Sequence, residues 1–231
     1  MAKKSREGIY ISYVLPTYNR VEYLGECLLS LVEQKYDPKR FEVIVVDDGS
    51  DDSTPELMEY FIAEHKNIFY YQVEHKGVED ARNFGNQRAK ADIIGVCDSD
   101  DLYHEERTHI TCEFFRDNPD IDIMTGSYVE IDHRGLPIKF YQAGAIDKEL
   151  FLAGKETYFC HDNCAYRKDK VFKTPYRKEG QPTDDWKLVE GFLKADYKFG
   201  FTTKELCKVR TLNNGIMGAR RERLGIKLPY V

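Results

Sequence analysis

The chain has 231 residues, 42% of them apolar and 13% aromatic, which is enough to bury the core of one large domain. Its net charge of −6 argues against a general nucleic-acid-binding protein, because such proteins use excess lysine and arginine to displace phosphate counterions. Its apolar runs are far shorter than the about 20 residues that cross a bilayer, and no charged-then-apolar leader opens the chain, so neither a transmembrane segment nor a signal peptide is expected.

Short apolar runs alternate with amphipathic stretches in the first half of the chain. This alternation is typical of βαβ units around a largely parallel sheet. Strands are predicted near residues 9–15, 41–47, 68–73 and 92–98. The sequence therefore predicts an α/β fold with helices on both faces of a mostly parallel central sheet.

Helices are predicted between these strands from their start signals and periodicity. Asn19 and Glu22 resemble a capping box for the first helix, and Thr54 followed by Pro55 suits the start of the second. A third helix is predicted over residues 80–90 and a fourth over 103–118, ending before Pro119.

The second half of the chain has longer and more polar loops. A long strand is predicted over residues 121–131, a turn at 133–135 and a helix from about 185 to 194. The tail over 213–231 is rich in glycine and arginine and has no strong period. We interpret this half as a substrate-facing part of one domain that spans residues 1–231.

Polar residues follow three of the predicted strands. They are Pro16-Thr17-Tyr18-Asn19, Asp47-Asp48-Gly49-Ser50 and Asp98-Ser99-Asp100-Asp101. Asp and Asn are also ordinary turn and cap residues, which is the alternative for any one segment. Because ligands of open parallel sheets bind beyond the carboxyl ends of the strands, the three segments together predict a binding site at one sheet edge.

The Asp98-Ser99-Asp100 segment indicates a site for a hard divalent cation. Alternate carboxylates leaving a strand can aim their oxygens at one ion, and Mg²⁺ or Mn²⁺ is commonly held by one or two carboxylates plus substrate phosphates. The implied ligand is a diphosphate. Arg82 is a candidate second cation for it, with a solvated or salt-bridged helix face as the alternative.

Two common nucleotide-binding fingerprints are missing from the sequence. No GxxxxGK[ST] phosphate loop occurs, and no GxGxxG follows a predicted strand. The six cysteines form no CxxC pair, which favours free thiols in a reducing cytoplasm.

Four segments together resemble the family 2 glycosyltransferases of the GT-A fold. They are YVLPTYNR at residues 13–20, VIVVDDGS at 43–50 with DST at 52–54, ARNFGN at 81–86, and DSDD at 98–101. The resemblance covers roughly the first half of the chain, with order and spacing in register. It implies a nucleotide-sugar-binding half over about 9–118, an acceptor-binding half over about 119–212, and a basic tail.

The same resemblance implies roles for individual residues in binding a nucleotide-sugar donor. Pro16 and Tyr18 would line the nucleoside pocket, with Tyr18 stacking on the base, and Asp48 would accept a hydrogen bond from a uracil-like edge. Arg82 would lie near the base and diphosphate, Asp98 near the ribose, and Asp100 would ligate Mn²⁺ or Mg²⁺. Thr17 and Ser99 complete the expected donor-binding set, and Asp98 the expected metal set.

An acidic pair at the start of a late helix is another family landmark, and Asp184-Asp185-Trp186 matches it. An acceptor hydroxyl needs a carboxylate to remove its proton as the new bond forms, so the resemblance implies Asp185 as general base. Asp184 would orient Asp185 or hydrogen-bond the acceptor. A helix cap is the alternative for either residue. Attack from the opposite face of a UDP-sugar would invert the anomeric centre.

Two departures from the family pattern affect these expectations. Residues 209–213 contain no histidine where many members have one that helps hold the metal. Two alternatives follow: the metal is retained more weakly, or Arg210 or a tail arginine contacts the diphosphate. The Gln-x-x-Arg-Trp motif of processive synthases is also missing, which indicates transfer of a single sugar.

The acceptor is expected to be a glycan or a lipid-linked hydroxyl. His161 and Asn163 are candidate acceptor contacts, although Cys160 and Cys164 around them also allow a zinc interpretation. The basic cluster at 220–223 could cover the diphosphate or contact an anionic membrane surface, with a solvated terminus as the alternative.

Three other protein classes compete with this interpretation. A signalling receiver domain would have an acidic pair after its first strand, where this chain has Pro-Thr-Tyr-Asn. A sugar nucleotidyltransferase usually opens with a Gly-rich basic signature that is not found here. A non-catalytic binder of nucleotide sugars with the same fold stays open.

Overall fold

The computed structural model describes residues 10–153, 159–176 and 184–212, with the backbone alone at residues 184–186. The tail over 213–231, including the basic cluster at 220–223, lies outside the described residues. The strands are β1 (Ile11–Thr17), β2 (Phe41–Asp47), β3 (Ile68–Gln72), β4 (Ile93–Val96), β5 (Leu102–Tyr103), β6 (Ile123–Ile131), β7 (Pro137–Tyr141), β8 (Ala165–Arg167) and β9 (Phe199–Arg210). The helices are α1 (Val21–Val32), α2 (Thr54–Glu64), α3 (Val78–Arg88), α4 (Arg107–Asp117), α5 (Lys148–Leu152), α6 (Lys168–Lys173) and α7 (Asp184–Lys194).

The described strands form one nine-stranded sheet in the order β3-β2-β1-β4-β8-β6-β9-β5, with β7 paired to β6. The first four strands in this order are parallel. The short β8 runs antiparallel to both β4 and β6, whereas β6 and β9 are parallel to each other. The expected α/β fold with a mostly parallel sheet is confirmed.

Strands β1 and β2 are buried along their whole length, because helices cover both faces of the sheet. Tyr13 and Leu15 point into a cluster with apolar residues of α1, α2 and α4. Val14, on the opposite face, packs in a second cluster with residues of α3, α6 and α7. The continuous apolar runs of the sequence therefore mark the central strands, and the loops after them lie at one edge.

The predicted capping box at the first helix is wrong. Asn19 has φ of 49° and its side-chain oxygen accepts a hydrogen bond from the Asp51 backbone, so it does not cap α1. Instead, Asp52 accepts from the first helical backbone N–H, that of Val21, at 3.0 Å. The acidic cap of α1 thus comes from the loop after β2, 31 residues away.

The starts of two other helices also differ from the prediction. Thr54 is the first residue of α2 rather than its cap, and Asp52 accepts from its backbone N–H at 3.0 Å. The fourth helix begins at Arg107 and not near Tyr103, because Tyr103 belongs to β5 and pairs with Cys207 of β9. Partners distant in sequence decide these boundaries.

The second half of the fold is built on the long parallel pair β6 and β9. The predicted turn after β6 is present, with Gly135 at φ 82°. Strand β9 was not predicted, because its sequence FGFTTKELCKVR mixes polar and apolar residues without a clear alternation. Across the described ranges, no helix is long and apolar enough to cross a membrane.

Candidate functional site

The loops after β1 and β2 are joined by hydrogen bonds at the carboxyl edge of the sheet. The Asn19 backbone N–H donates to Ser50 Oγ at 2.9 Å, and the Asp51 backbone N–H donates to Asn19 Oδ1 at 2.9 Å. Asp47 is fully buried and accepts hydrogen bonds from the Ser50 backbone and from the Tyr70 hydroxyl. The two loops are therefore held together at this edge of the sheet, and the buried Asp47 stabilises the loop after β2.

Asp48 lies at the end of β2 and organises the segment that leads into α3. Its Oδ1 accepts from the Lys76 backbone N–H and its Oδ2 from the Gly77 backbone N–H, both at 2.8 Å. Gly77 adopts φ of 102°, a conformation that disfavours a side chain. The Asp48 carboxylate, predicted to accept a hydrogen bond from a uracil-like edge, is thus buried and fixed by two backbone N–H groups.

Tyr18 and His75 form an aromatic pair next to Asp48. Their ring centroids are 4.2 Å apart with an interplanar angle of 21°, and Tyr18 is 42% exposed. The His75 Nδ1 atom lies 2.9 Å from Asp48 Oδ2. Sequence reasoning missed His75, which lies in a stretch without strand or helix periodicity. The pair offers a flat surface on which a planar ring can stack.

Arg82 of α3 is paired with Asp98 rather than exposed on a helix face. Its guanidinium donates to Asp98 Oδ1 at 2.6 Å and lies over the Tyr176 ring at 5.4 Å. Arg82 is only 5% exposed. Arg82 does form a salt bridge, as the alternative expected, but it is buried beside the acidic segment and does not lie on an exposed helix face.

The acidic segment after β4 brings several carboxylates together. Asp98 and Asp100 are partly exposed, with side-chain exposures of 30% and 22%. Burial, followed by the negative charge of Asp98, raises the pKa of Asp100 above its usual value. The buried Asp101 has a pKa raised well above its usual value by burial and then by Asp162, a residue that the sequence did not single out. The segment therefore concentrates acidic groups, of which Asp98 pairs with Arg82 and Asp100 with Arg20.

A divalent cation suits this set of donors. Within the part of the chain that the structure describes, no group of three or more His, Cys, Asp or Glu residues is arranged to hold a metal by itself. Mg²⁺ and Mn²⁺ commonly need only one or two protein carboxylates when substrate phosphates supply further oxygens. Asp98 and Asp100 meet that requirement, and a cation beside them would relieve their mutual repulsion.

The backbone of the acidic segment is fixed from two sides. The Tyr103 hydroxyl accepts from the Asp98 backbone N–H at 2.6 Å and donates to the Asp98 carbonyl at 3.2 Å. Arg210, at the end of β9, donates from Nε to the Asp100 carbonyl at 2.9 Å, and its backbone N–H donates to Asp101 at 2.8 Å. Tyr103 and Arg210 therefore fix the backbone that carries the carboxylates.

The suggestion that Arg210 meets the diphosphate is wrong for this arrangement. Its side chain is 2% exposed and also donates to Glu26 Oε2 and to the His133 carbonyl, each at 2.9 Å. Because all three guanidinium nitrogens are engaged, Arg210 supports the acidic segment and has no free nitrogen for a diphosphate.

Replacing Arg210 is expected to destabilise the protein. Arg210→Ala removes the donors to the Asp100 and His133 carbonyls, and loss of such hydrogen bonds should lower the free energy of unfolding by about 2–4 kcal/mol. Urea denaturation monitored by circular dichroism measures the change. Arg134→Ala is the control, because Arg134 pairs with Asp132 at the surface and should change stability by less than about 0.5 kcal/mol. Equal stability of the two variants would contradict the support role.

The expected catalytic pair lies at the beginning of α7. Asp184 and Asp185 are the first two residues of this helix, and their side chains lie outside the described part. The helix is anchored through Leu188 and Phe192 in the cluster that also contains Val14 of β1. The position of Asp185 at a helix start is therefore observed, and its role as general base stays a prediction.

His161 and Asn163 are buried instead of lining an open surface. Asn163 accepts from the Thr125 hydroxyl at 2.9 Å and donates to the Gly126 carbonyl at 2.9 Å. His161 Nε2 lies 2.9 Å from the Tyr176 hydroxyl. Cys160 and Cys164 are buried free thiols in the core, so the zinc interpretation has no support.

The chain is similar in sequence to known glycosyltransferases. The sequence pattern of the family described as "Glycosyl transferase family 2" matches residues 12–174. An uncharacterized glycosyltransferase of Rickettsia conorii is 32% identical over 151 residues, which are 65% of this chain and 24% of that protein. The chain thus spans about a quarter of this curated relative.

Two solved structures share the fold. Staphylococcus aureus TarS 1-349 in complex with UDP-GlcNAc superposes with a TM-score of 0.74 at 20% identity, covering 91% of this chain and 61% of that chain. The mannosyltransferase PcManGT of Pyrobaculum calidifontis, in complex with GDP-Man and Mn²⁺, superposes with a TM-score of 0.70 at 17% identity, covering 94% and 61%. Both are GT-A glycosyltransferases, and the architecture described above is the GT-A fold.

Proposed function

Because the chain belongs to glycosyl transferase family 2, whose pattern spans residues 12–174, we propose that it transfers one sugar from a UDP-sugar to an acceptor hydroxyl with inversion. The observation that carries this proposal is the meeting of Tyr18, Asp48, Arg82, Asp98 and Asp100 at one edge of the sheet. The acceptor is a glycan or a lipid-linked hydroxyl at a membrane surface. We place the reaction in the cytoplasm, with which the six free cysteines agree.

The donor-binding residues divide the nucleotide between them. Tyr18 offers its ring to the base, and the neighbouring Asp48 offers a carboxylate to a donor N–H of a uracil-like edge. Pro16 and Thr17 lie at the end of β1 and Ser99 lies between Asp98 and Asp100, and we assign them to the same donor site. UDP is proposed as the nucleotide because TarS, which shares this fold, has been solved in complex with UDP-GlcNAc.

Asp98 and Asp100 would hold Mn²⁺ or Mg²⁺ together with the donor diphosphate. When bound, the ion supplies a positive charge that stabilises the leaving nucleoside diphosphate. The mannosyltransferase structure with GDP-Man and Mn²⁺ supports a divalent cation for this fold. Asp98 also faces the ribose in this proposal, and Arg82 keeps it in place through the 2.6 Å ion pair.

Proton removal from the acceptor is assigned to Asp185. A hydroxyl is a weak nucleophile until a carboxylate takes its proton during attack. Asp184, one residue earlier at the start of α7, is proposed to orient Asp185 or the acceptor. The base and the acidic segment would then lie on opposite sides of the sugar, which gives inversion at the anomeric carbon.

A panel of nucleotide sugars tests the proposal. We expect UDP-sugars to raise the melting temperature in the presence of Mn²⁺ and at least one to release UDP when offered mixed glycan or lipid-linked acceptors. GDP-, ADP- and CMP-sugars are the controls for the base, and EDTA is the control for the metal. No shift and no UDP release with any UDP-sugar would refute the donor assignment. Binding without turnover would favour the non-catalytic alternative.

A further inference from the structure

Three arginines approach the acidic segment within the described residues, and two of them are locked. Arg82 is buried against Asp98 and Tyr176, and Arg210 is buried among carbonyls and Glu26. Moving either guanidinium would strand buried polar groups, so both are fixed parts of the wall. Neither guanidinium is therefore expected to change partners when a ligand binds or dissociates.

Arg20 differs from both. Its side chain is 31% exposed, and its Nη1 lies 3.2 Å from Asp100 Oδ2. Its backbone is held, because the Arg20 carbonyl accepts from the Tyr23 and Leu24 backbone N–H groups at the start of α1. The Arg20 backbone is therefore fixed, while its long and partly exposed side chain reaches Asp100.

We propose that Arg20 is an exchangeable counter-ion: it neutralises Asp100 in the donor-free protein and moves to the donor diphosphate when a divalent cation takes its place on Asp100. This inference rests on the proposed function, since it requires a diphosphate and a cation in this cleft. It adds a residue to the donor site that the metal and base-binding assignments do not include.

The exchange is favoured by the charges in the cleft. A cation and a guanidinium compete for the same carboxylate, so arrival of the ion leaves the Arg20 charge without a partner. Partly exposed ion pairs contribute little to stability, so breaking the contact between Arg20 and Asp100 should cost little free energy. A phosphate group offers the same guanidinium a bidentate, charge-assisted contact in return.

The proposal predicts opposite effects of one substitution on two ligands. Arg20→Ala should bind Mn²⁺ without nucleotide about 3–10-fold more tightly, because Asp100 loses a competing cation. The same variant should bind UDP at saturating Mn²⁺ about 10-fold or more weakly, because the diphosphate loses a charged donor. Free Mn²⁺ is measured by electron paramagnetic resonance, and UDP binding by titration calorimetry.

Matched variants separate this role from a structural one. Arg20→Lys keeps the charge but not the bidentate contact, so it should bind Mn²⁺ as the wild type does and UDP with intermediate affinity. Arg116→Ala, on the exposed face of α4, should leave both affinities unchanged. Uridine binding should not change in any variant, because uridine lacks the diphosphate.

Three outcomes would contradict the inference. Unchanged or weaker Mn²⁺ binding by Arg20→Ala overturns the exchange and makes Arg20 a positioning residue for Asp100. Unchanged UDP binding overturns its contact with the diphosphate. If the wild type itself binds neither Mn²⁺ nor UDP, the proposed function fails and the inference fails with it.

Discussion

Asp185→Asn is expected to lower the rate of sugar transfer by about 10²–10⁴-fold and to leave UDP affinity within about twofold. The amide keeps the size of the side chain but cannot take a proton from the acceptor hydroxyl at neutral pH. Because Asp185 lies at the start of α7 and the donor site is built from the loops after β1, β2 and β4, donor binding should not depend on it.

The measurement is UDP release at saturating donor and acceptor, together with UDP binding by calorimetry. Glu190→Gln is the matched control, since Glu190 lies on the same helix and pairs at the surface with Lys194. It should retain full activity. Asp184→Asn should have a smaller effect than Asp185→Asn, and the reverse order would exchange the roles of the two residues.

Asp100→Asn is expected to lower metal-dependent UDP affinity and to reduce transfer by about 100-fold or more. The substitution removes a negative oxygen from the pair that would hold the cation, so the diphosphate loses its bridge to the protein. Because burial and Asp98 already disfavour the charged form of Asp100, losing that charge should not destabilise the fold.

Mn²⁺ dependence of UDP binding gives the readout, with thermal unfolding as a check on folding. Asp117→Asn is the control, because Asp117 pairs with Arg116 at the exposed end of α4. If Asp100→Asn bound UDP and Mn²⁺ as the wild type does but lost turnover, Asp100 would be acting as the base and Asp185 would need another role.

The sequence was most informative where structure follows from local pattern. The buried runs that became β1 and β2 were visible as continuous apolar segments, and the polar residues after them were correctly expected at one sheet edge. Residues that directly follow an apolar strand lie at its carboxyl end, so their place in the sequence predicts that they lie at the ligand-binding edge of the sheet.

What the sequence did not reveal depends on partners that are distant in the chain. The cap of α1 comes from Asp52, and Arg210 reaches Glu26, 184 residues away in sequence. Strand β9 lacks a clear apolar period in the sequence, and it is identified as a strand by its pairing with β6 and β5. Asp162 joins the acidic residues only through the fold of the loop before β8.

The attachment of Arg210 has a consequence for the order in which the protein matures. The parallel strands β1 to β4 can pair once about the first 100 residues exist, but the Asp100 carbonyl and the Asp101 carboxylate meet their partner only when residue 210 is in place. During synthesis on the ribosome, the acidic loop would therefore be shaped among the last parts of the domain. A nascent chain that stops short of β9 would have a formed sheet edge but would lack the Arg210 contacts to the acidic segment.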